Sequence, residues 1–189
     1  MLEVEAKVKV DSLDAVAVRL ESLDAKLIDK LVQRDCYFDG RDNWLASNDK
    51  GLRVRRQTST GIDKVLLTYK GKRGASKYKS RPEYEVQVDD YDNMVSVLDG
   101  LGYKVALSFV KRRQVWFLNG CEVCLDELPM LGCFVEVEGP GETLIAETLK
   151  MLELSRLEHI RCGYARLMKK RLKENGIDSR YICFEGDEK

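Results

Sequence analysis

Apolar and polar residues alternate strictly over the first ten positions. Leu2, Val4, Ala6 and Val8 fall on one side and Glu3, Glu5 and Lys7 on the other. Residues two apart share a face of an extended chain, so this segment predicts a strand with one apolar and one charged face. The pattern then changes period. Leu13, Val16, Leu20 and Leu23 recur at helical spacing, with Asp11 as the expected N-cap of a helix from Ser12 to about Lys26. A second extended run, Leu27 to Phe38, ends at Asp39-Gly40, and residues 41–50 read as a loop covered by Trp44 and Leu45.

Three more runs follow at Gly51–Gln57, Ile62–Tyr69 and Arg81–Val88, with the basic, glycine-containing stretch Gly71–Ser80 as a flexible loop. Asp90–Leu101 predicts a short helix stopped by Gly102. Ala106–Leu118, Glu122–Leu128 and Gly132–Glu138 are again strand-like, and Asn119-Gly120 is a strong hairpin turn. Helices are expected over Glu142–Leu152 and Arg156–Lys173. Residues 1–174 thus read as one α+β domain, rich in strands with helices packed outside, and residues 175–189 as a loosely held tail.

Composition sharpens one point. Of 189 residues 34% are charged, well above the usual quarter, yet 32 basic residues balance 32 acidic ones. No overall excess is left to track a nucleic-acid backbone, and no nucleic-acid partner is expected. No stretch reaches the roughly 18 apolar residues of a membrane span. The N-terminus carries acids where a secretory signal carries bases, which predicts a cytoplasmic protein without a membrane partner. The six cysteines then read as scattered thiols. Cys121 and Cys124 have zinc-like spacing, but a strand puts them on opposite faces and no second pair completes a site.

The charges are organised by strand. Acids occupy one face at Glu3/Glu5, Glu83/Glu85 and Glu136/Glu138; bases do so at Arg53/Arg55, Lys70 and Lys111/Arg113. Solvated outer faces would explain any one strand. The helices, however, need an apolar surface to pack on, and a closed sheet has only two faces. If the apolar face is outside, the charged face lines the interior, with an acidic wall facing a basic one. Such an interior is stable when wet or filled by matching ligands. Arginine and lysine suit phosphate oxygens; carboxylates suit hard cations such as Mg²⁺ or Mn²⁺. A polyphosphate gripped by bases beside a metal held by acids is a phosphoryl-transfer constellation.

These residues resemble the CYTH family, the triphosphate tunnel metalloenzymes, and especially its class IV adenylyl cyclase-like branch. Glu3-Val-Glu5-Ala-Lys7 matches the ExExK signature. In family order follow the run Gln33 to Phe38, Leu52-Arg-Val-Arg55, Leu67 to Gly71, Glu83-Tyr-Glu85, Lys111-Arg-Arg113, Val123-Cys-Leu-Asp126, Val135-Glu-Val-Glu138 and Gly163-Tyr164-Ala-Arg-Leu167. The resemblance implies a closed eight-stranded antiparallel β-barrel, the triphosphate tunnel. Glu3, Glu5 and Glu136 would hold the metal, Mg²⁺ or Mn²⁺. Arg53, Arg55, Lys70, Lys111 and Arg113 would grip the triphosphate. As catalytic residues, Lys7 would stand close to the triphosphate and Asp126 near the metal or the reacting phosphate, with Glu83, Glu85 and Glu138 as further acids at or around the metal site. The implied substrates are ATP, thiamine triphosphate or inorganic triphosphate, and a homodimer fits the branch. Cyclisation of ATP and hydrolysis of a triphosphate need the same clamp, which does not decide between them. A non-catalytic polyphosphate-binding module is the alternative, and it gives the acids no work.

Overall fold

The computed structural model describes residues 2–74 and 78–187, without the side chains of Leu2, Glu3 and Lys79. Strands β1 (Leu2–Val10), β2 (Lys26–Asp39), β3 (Gly51–Ser59), β4 (Ile62–Lys70), β5 (Lys79–Val88), β6 (Lys104–Leu118), β7 (Cys121–Leu128) and β8 (Gly132–Glu138) form one antiparallel ring. Their spatial order is β2-β3-β4-β5-β1-β8-β7-β6, and a long β2–β6 pairing closes it. The sequence dictates the connections: β6 and β7 meet at Asn119-Gly120, both in the left-handed region a tight hairpin requires.

The apolar faces point outward, as the patterning requires. Helices α1 (Leu13–Ser22) and α4 (Glu142–Met151) bury Val16, Leu20, Ile145 and Leu149 against Ala6, Val8, Val123, Leu125, Val135 and Val137 of the sheet. Helix α3 (Tyr91–Gly100) sets Leu98 against Cys36, Phe38, Val54 and Val65 in the same way. Among the described residues the six cysteines form no disulfide, and Cys121 packs with the outer core while Cys124 meets Glu122 and Arg113 inside.

Several expectations are corrected. Ser12, not Asp11, caps α1, its hydroxyl accepting from the Ala15 amide at 3.4 Å. Residues 41–50 are not irregular throughout: a 3₁₀ turn (Arg41–Asn43) leads into a short helix α2 (Trp44–Ser47), which buries Leu45 and leaves Trp44 exposed. Asp39 organises this corner, its carboxylate accepting from the amides of Gly40 and Leu45 at 2.8 Å and of Ala46 at 3.1 Å. Asp39→Ala strands these donors and is expected to cost about 1–3 kcal/mol, read by denaturant unfolding. Residues 75–77 of the basic loop lie outside the described residues.

The last expected helix begins at Tyr164 instead of Arg156 (α5, Tyr164–Glu174). The chain before it crosses the edge of β1, where the Ile160 amide donates to the Lys7 carbonyl at 2.8 Å. Helix α5 also differs in place. Its Met168 and Leu172 pack with Leu107, Phe109, Leu128, Leu131 and Phe134, as a plug instead of a layer on the outer face. The tail is held as well: β9 (Tyr181–Ile182) pairs in parallel with Ser108–Phe109, on a stretch of β6 that lies beyond its pairing with β7. That pairing satisfies an edge that would otherwise be bare.

Candidate triphosphate tunnel

With apolar residues outside, alternation sends the charged set into the ring. Lys7, Asp35, Arg53, Lys70, Lys111 and Asp126 are all buried, Asp126 completely at 0% exposure. Acid-bearing strands are contiguous in space (β5, β1, β8, β7), and β3, β4 and β6 carry the bases. The two signs are nonetheless interleaved by direct pairing, which refines the picture of two separate walls. Lys7 stands among the acids, and Asp35 stands among the bases.

On the basic side, Arg55 donates twice to Asp35, at 2.5 and 2.8 Å, and Arg53 approaches the same carboxylate at 3.7 Å. Burial would raise the Asp35 pKa, but Arg55 and Arg53 hold it well below the usual carboxylate range. Arg53 also reaches Thr68 and, at 3.4 Å, Glu85. Lys70 is bonded to Glu83, whose other oxygen accepts from Arg81 at 3.1 Å. Glu83 and Glu85 thus stand with the clamp bases.

On the other side, Arg113 spans two carboxylates. It donates to Asp126 through Nε and Nη2, both at 2.6 Å, and to Glu136. Lys7 Nζ lies 2.8 Å from Glu136, 3.5 Å from Glu5 and 3.3 Å from the Cys162 carbonyl. Burial pulls its pKa down, yet Glu136 and Glu5 outweigh this and keep the ammonium charged. Lys111 is different. Burial comes first, Arg113 repels it, and Asp126 is a looser partner at 3.4 Å, so its pKa falls from 10.5 to about 8.

The sign of that shift makes a prediction. A depressed pKa means that stability is present above pH 10.5 and is lost as the pH falls through about 8, where the buried ammonium charges. An arriving phosphate favours the charged form. Triphosphate binding between about pH 8 and 10 is therefore expected to take up a proton at Lys111. Calorimetry in buffers of different ionisation heats reads this as a buffer-dependent heat, and equal heats in all buffers rule it out.

The side chain of Glu3 lies outside the described residues. Among the described residues no three His, Cys, Asp or Glu side chains converge as a ready-made metal site. The chemistry of the acidic patch still fits a divalent cation. Glu5 is directly opposite Glu138 across β1 and β8, and Glu138 is opposite Glu122 across β8 and β7. Like charges in such register destabilise a sheet. Burial, then the carboxylates of Glu122, Glu5 and Glu136, push Glu138 up to about 7. Hard oxygen donors crowded in this way favour a cation between them.

A cavity of about 380 Å³ lies against α5, lined by Tyr37, Asp49, Lys50, Arg73, Arg81 and Arg166 among others. Asp49 and Lys50 come from the segment after β2 and Arg73 from the basic loop after β4. A larger groove of about 740 Å³ is on the outer face, where Arg34, Arg56 and Arg112 line it. There Arg56 is paired with Asp63 at 2.6 Å and Arg112 with Asp187 at 3.5 Å.

Sequence reasoning gave no role to Asp35, Arg81 or Tyr164. Half of the signal for Asp35 was present: Gln33, Asp35 and Tyr37 alternate inward, but the register that sets Asp35 opposite Arg55 belongs to the folded sheet. Tyr164 belongs to the family-like run Gly163 to Leu167, but periodicity does not tell that a helix start enters the end of a barrel, so its contacts were not legible. Its hydroxyl donates to Asp126 at 2.8 Å.

A closed antiparallel ring with an interior of paired arginines, lysines and carboxylates defines a charged-tunnel protein. Residues 1–158 match the CYTH domain, and the chain belongs to the CYTH family. It is 32% identical over 176 residues, 88% of this chain and 98% of the relative, to a Methanocaldococcus jannaschii protein provisionally named an adenylate cyclase. It is 31% identical over 140 residues to the adenylate cyclase CyaB of Aeromonas hydrophila, covering 71% of this chain and 67% of that one. Among solved structures, a Pyrococcus horikoshii protein superposes with a TM-score of 0.78 at 30% identity, over 89% of this chain and 99% of its own. Among the described residues no helix is long and apolar enough to cross a membrane.

Proposed function

We propose that this protein is a divalent-metal-dependent enzyme that binds a nucleoside triphosphate in the tunnel and cyclises ATP to cyclic AMP and pyrophosphate. The observation that carries the reading is that Arg53, Arg55, Lys70, Lys111 and Arg113 all belong to one charged interior, beside a crowded acidic patch that Arg113 meets through Glu136. Bases alone would serve a binding module; the patch of Glu5, Glu136 and Glu138 gives a metal its donors. The cavity beside the tunnel has room for an organic group attached to the phosphates, and the relatives' names point the same way.

In the proposed reaction the ribose 3′-hydroxyl oxygen gives up its proton to solvent and bonds to the α-phosphorus, the bond from that phosphorus to the α,β-bridging oxygen breaks, and pyrophosphate leaves with the bond's electron pair. Glu5 and Glu136 together with Glu3 would hold Mg²⁺ or Mn²⁺, which would supply charge neutralisation at the phosphate oxygens. The clamp residues orient the chain of phosphates and stabilise charge on the departing pyrophosphate. Lys7, kept charged by Glu136 and Glu5, is a donor to a phosphate oxygen at the reacting centre. Asp126 aims Arg113.

Hydrolysis is the second reading, supported by the chemistry of the proposed clamp, whose arginines and lysines suit phosphates and include no residue assigned to a ribose. The products decide. Phosphorus NMR and chromatography after incubation with ATP, tripolyphosphate or thiamine triphosphate, with Mg²⁺ or Mn²⁺, are expected to show cyclic AMP and pyrophosphate from ATP. Orthophosphate without cyclic product would replace cyclase by triphosphatase. Binding without any product would leave only the binding module.

A further inference from the structure

Tyr164 opens α5 and lies beyond residue 158, where the CYTH match ends. It is nonetheless built into the tunnel. Its ring is buried edge-on against Phe134, with centroids 5.3 Å apart. Lys7 Nζ stands 4.0 Å from the ring centroid and Lys111 Nζ 5.1 Å. Its hydroxyl donates to Asp126 Oδ2 at 2.8 Å, on the carboxylate that Arg113 grips with two bonds. Burial and the charges of Asp126 and Glu136 hold the phenol far from ionising, so it remains a donor.

Two ammonium groups held near one ring need negative charge to stabilise them. The negative face of an aromatic ring attracts both without adding another carboxylate that would compete with an incoming phosphate. The hydroxyl meanwhile fixes the rotation of Asp126, and with it the aim of Arg113. From this geometry we infer that Tyr164 is a positioning residue. Its ring seats Lys7 and Lys111, its hydroxyl orients Asp126, and docking of α5 thereby completes the anion-binding floor of the tunnel. A residue that merely plugged the barrel would need the ring's volume and nothing else.

The substrate side of this inference rests on the function proposed above, so its test has one arm that does not. Y164F and Y164L are compared with the parent by tripolyphosphate calorimetry, by kcat and KM for ATP with Mn²⁺, and by NMR of the lysine ε-methylene protons. Y164F keeps the ring. It is expected to bind tripolyphosphate within about threefold of the parent and to lose about tenfold in kcat, because only the bond to Asp126 is gone. Y164L is expected to lose about tenfold or more in affinity, since both cation–ring contacts go. The Lys7 ε-methylene signals are expected upfield in the parent and in Y164F, from the ring current, and at ordinary positions in Y164L.

Parent-like affinity in a folded Y164L, or parent-like kcat in Y164F, would overturn the positioning role. If Y164L shows no cooperative melt, the kcat of Y164F and the ring-current signals of the parent and Y164F decide instead. Absence of that upfield shift in the parent would overturn the inference. If the parent binds no tripolyphosphate, the proposed function fails, and the NMR arm still decides whether the ring seats the lysines.

Discussion

Arg113→Ala is expected to weaken tripolyphosphate binding by about 10- to 100-fold and to destabilise the fold by about 3–5 kcal/mol. The two effects have separate origins. Arg113 is the partner of fully buried Asp126 and also of Glu136, so its removal leaves carboxylates charged in a place with little water. Breaking one side of a buried pair costs far more than the pair contributes. The affinity loss comes from the charge-assisted bonds that the guanidinium would make to phosphate. A second substitution separates them. Arg113→Ala combined with Asp126→Asn removes the stranded charge and is expected to recover most of the stability, while affinity stays low. Denaturant unfolding and calorimetry on the same two proteins read both quantities. A single variant of normal stability would contradict the buried pair; normal affinity would remove Arg113 from the clamp.

Glu5→Gln is expected to leave a folded protein whose metal-dependent turnover falls by about 10³, equivalent to about 4 kcal/mol in the barrier. Glutamine keeps the shape and one oxygen but removes the charge a hard cation requires. Glu5 lies opposite Glu138 in the sheet, so the change also relieves a like-charge contact, and stability is expected to hold or rise. Metal-free tripolyphosphate should bind at least as tightly as to the parent, because one repelling carboxylate is gone. Turnover at the parental rate would sink the metal assignment. Loss of metal-free binding would instead make Glu5 part of the clamp's architecture through Lys7.

Which parts of this arrangement could be read in advance follows from the physics of each part. Strand alternation is local, so the faces of β1, β3, β5 and β8 were legible from residue type alone. The inward turn of the charged faces followed from helices needing an apolar outside, while closure into an eight-stranded ring was implied by the family resemblance. Pairing between distant strands is not local. That Lys7 would sit between Glu5 and Glu136, or that Asp35 would tie Arg53 to Arg55, depends on registers that no single segment encodes. The C-terminal region was the least legible. A periodic stripe from Arg156 onward resembled an outer helix, but residues up to Gly163 instead crossed β1, and α5 plugged the barrel through Met168 and Leu172. Tyr164 acquired its contacts only through that placement.

The most direct measurement is a crystal structure with Mn²⁺ and a non-hydrolysable ATP analogue, with data collected at the manganese edge. The predicted result is an anomalous peak in the tunnel beside Glu5 and Glu136, with the phosphates on Arg53, Arg55, Lys70, Lys111 and Arg113. Phosphates bound on the outer arginine groove, or a manganese peak away from those two carboxylates, would contradict the tunnel as the site.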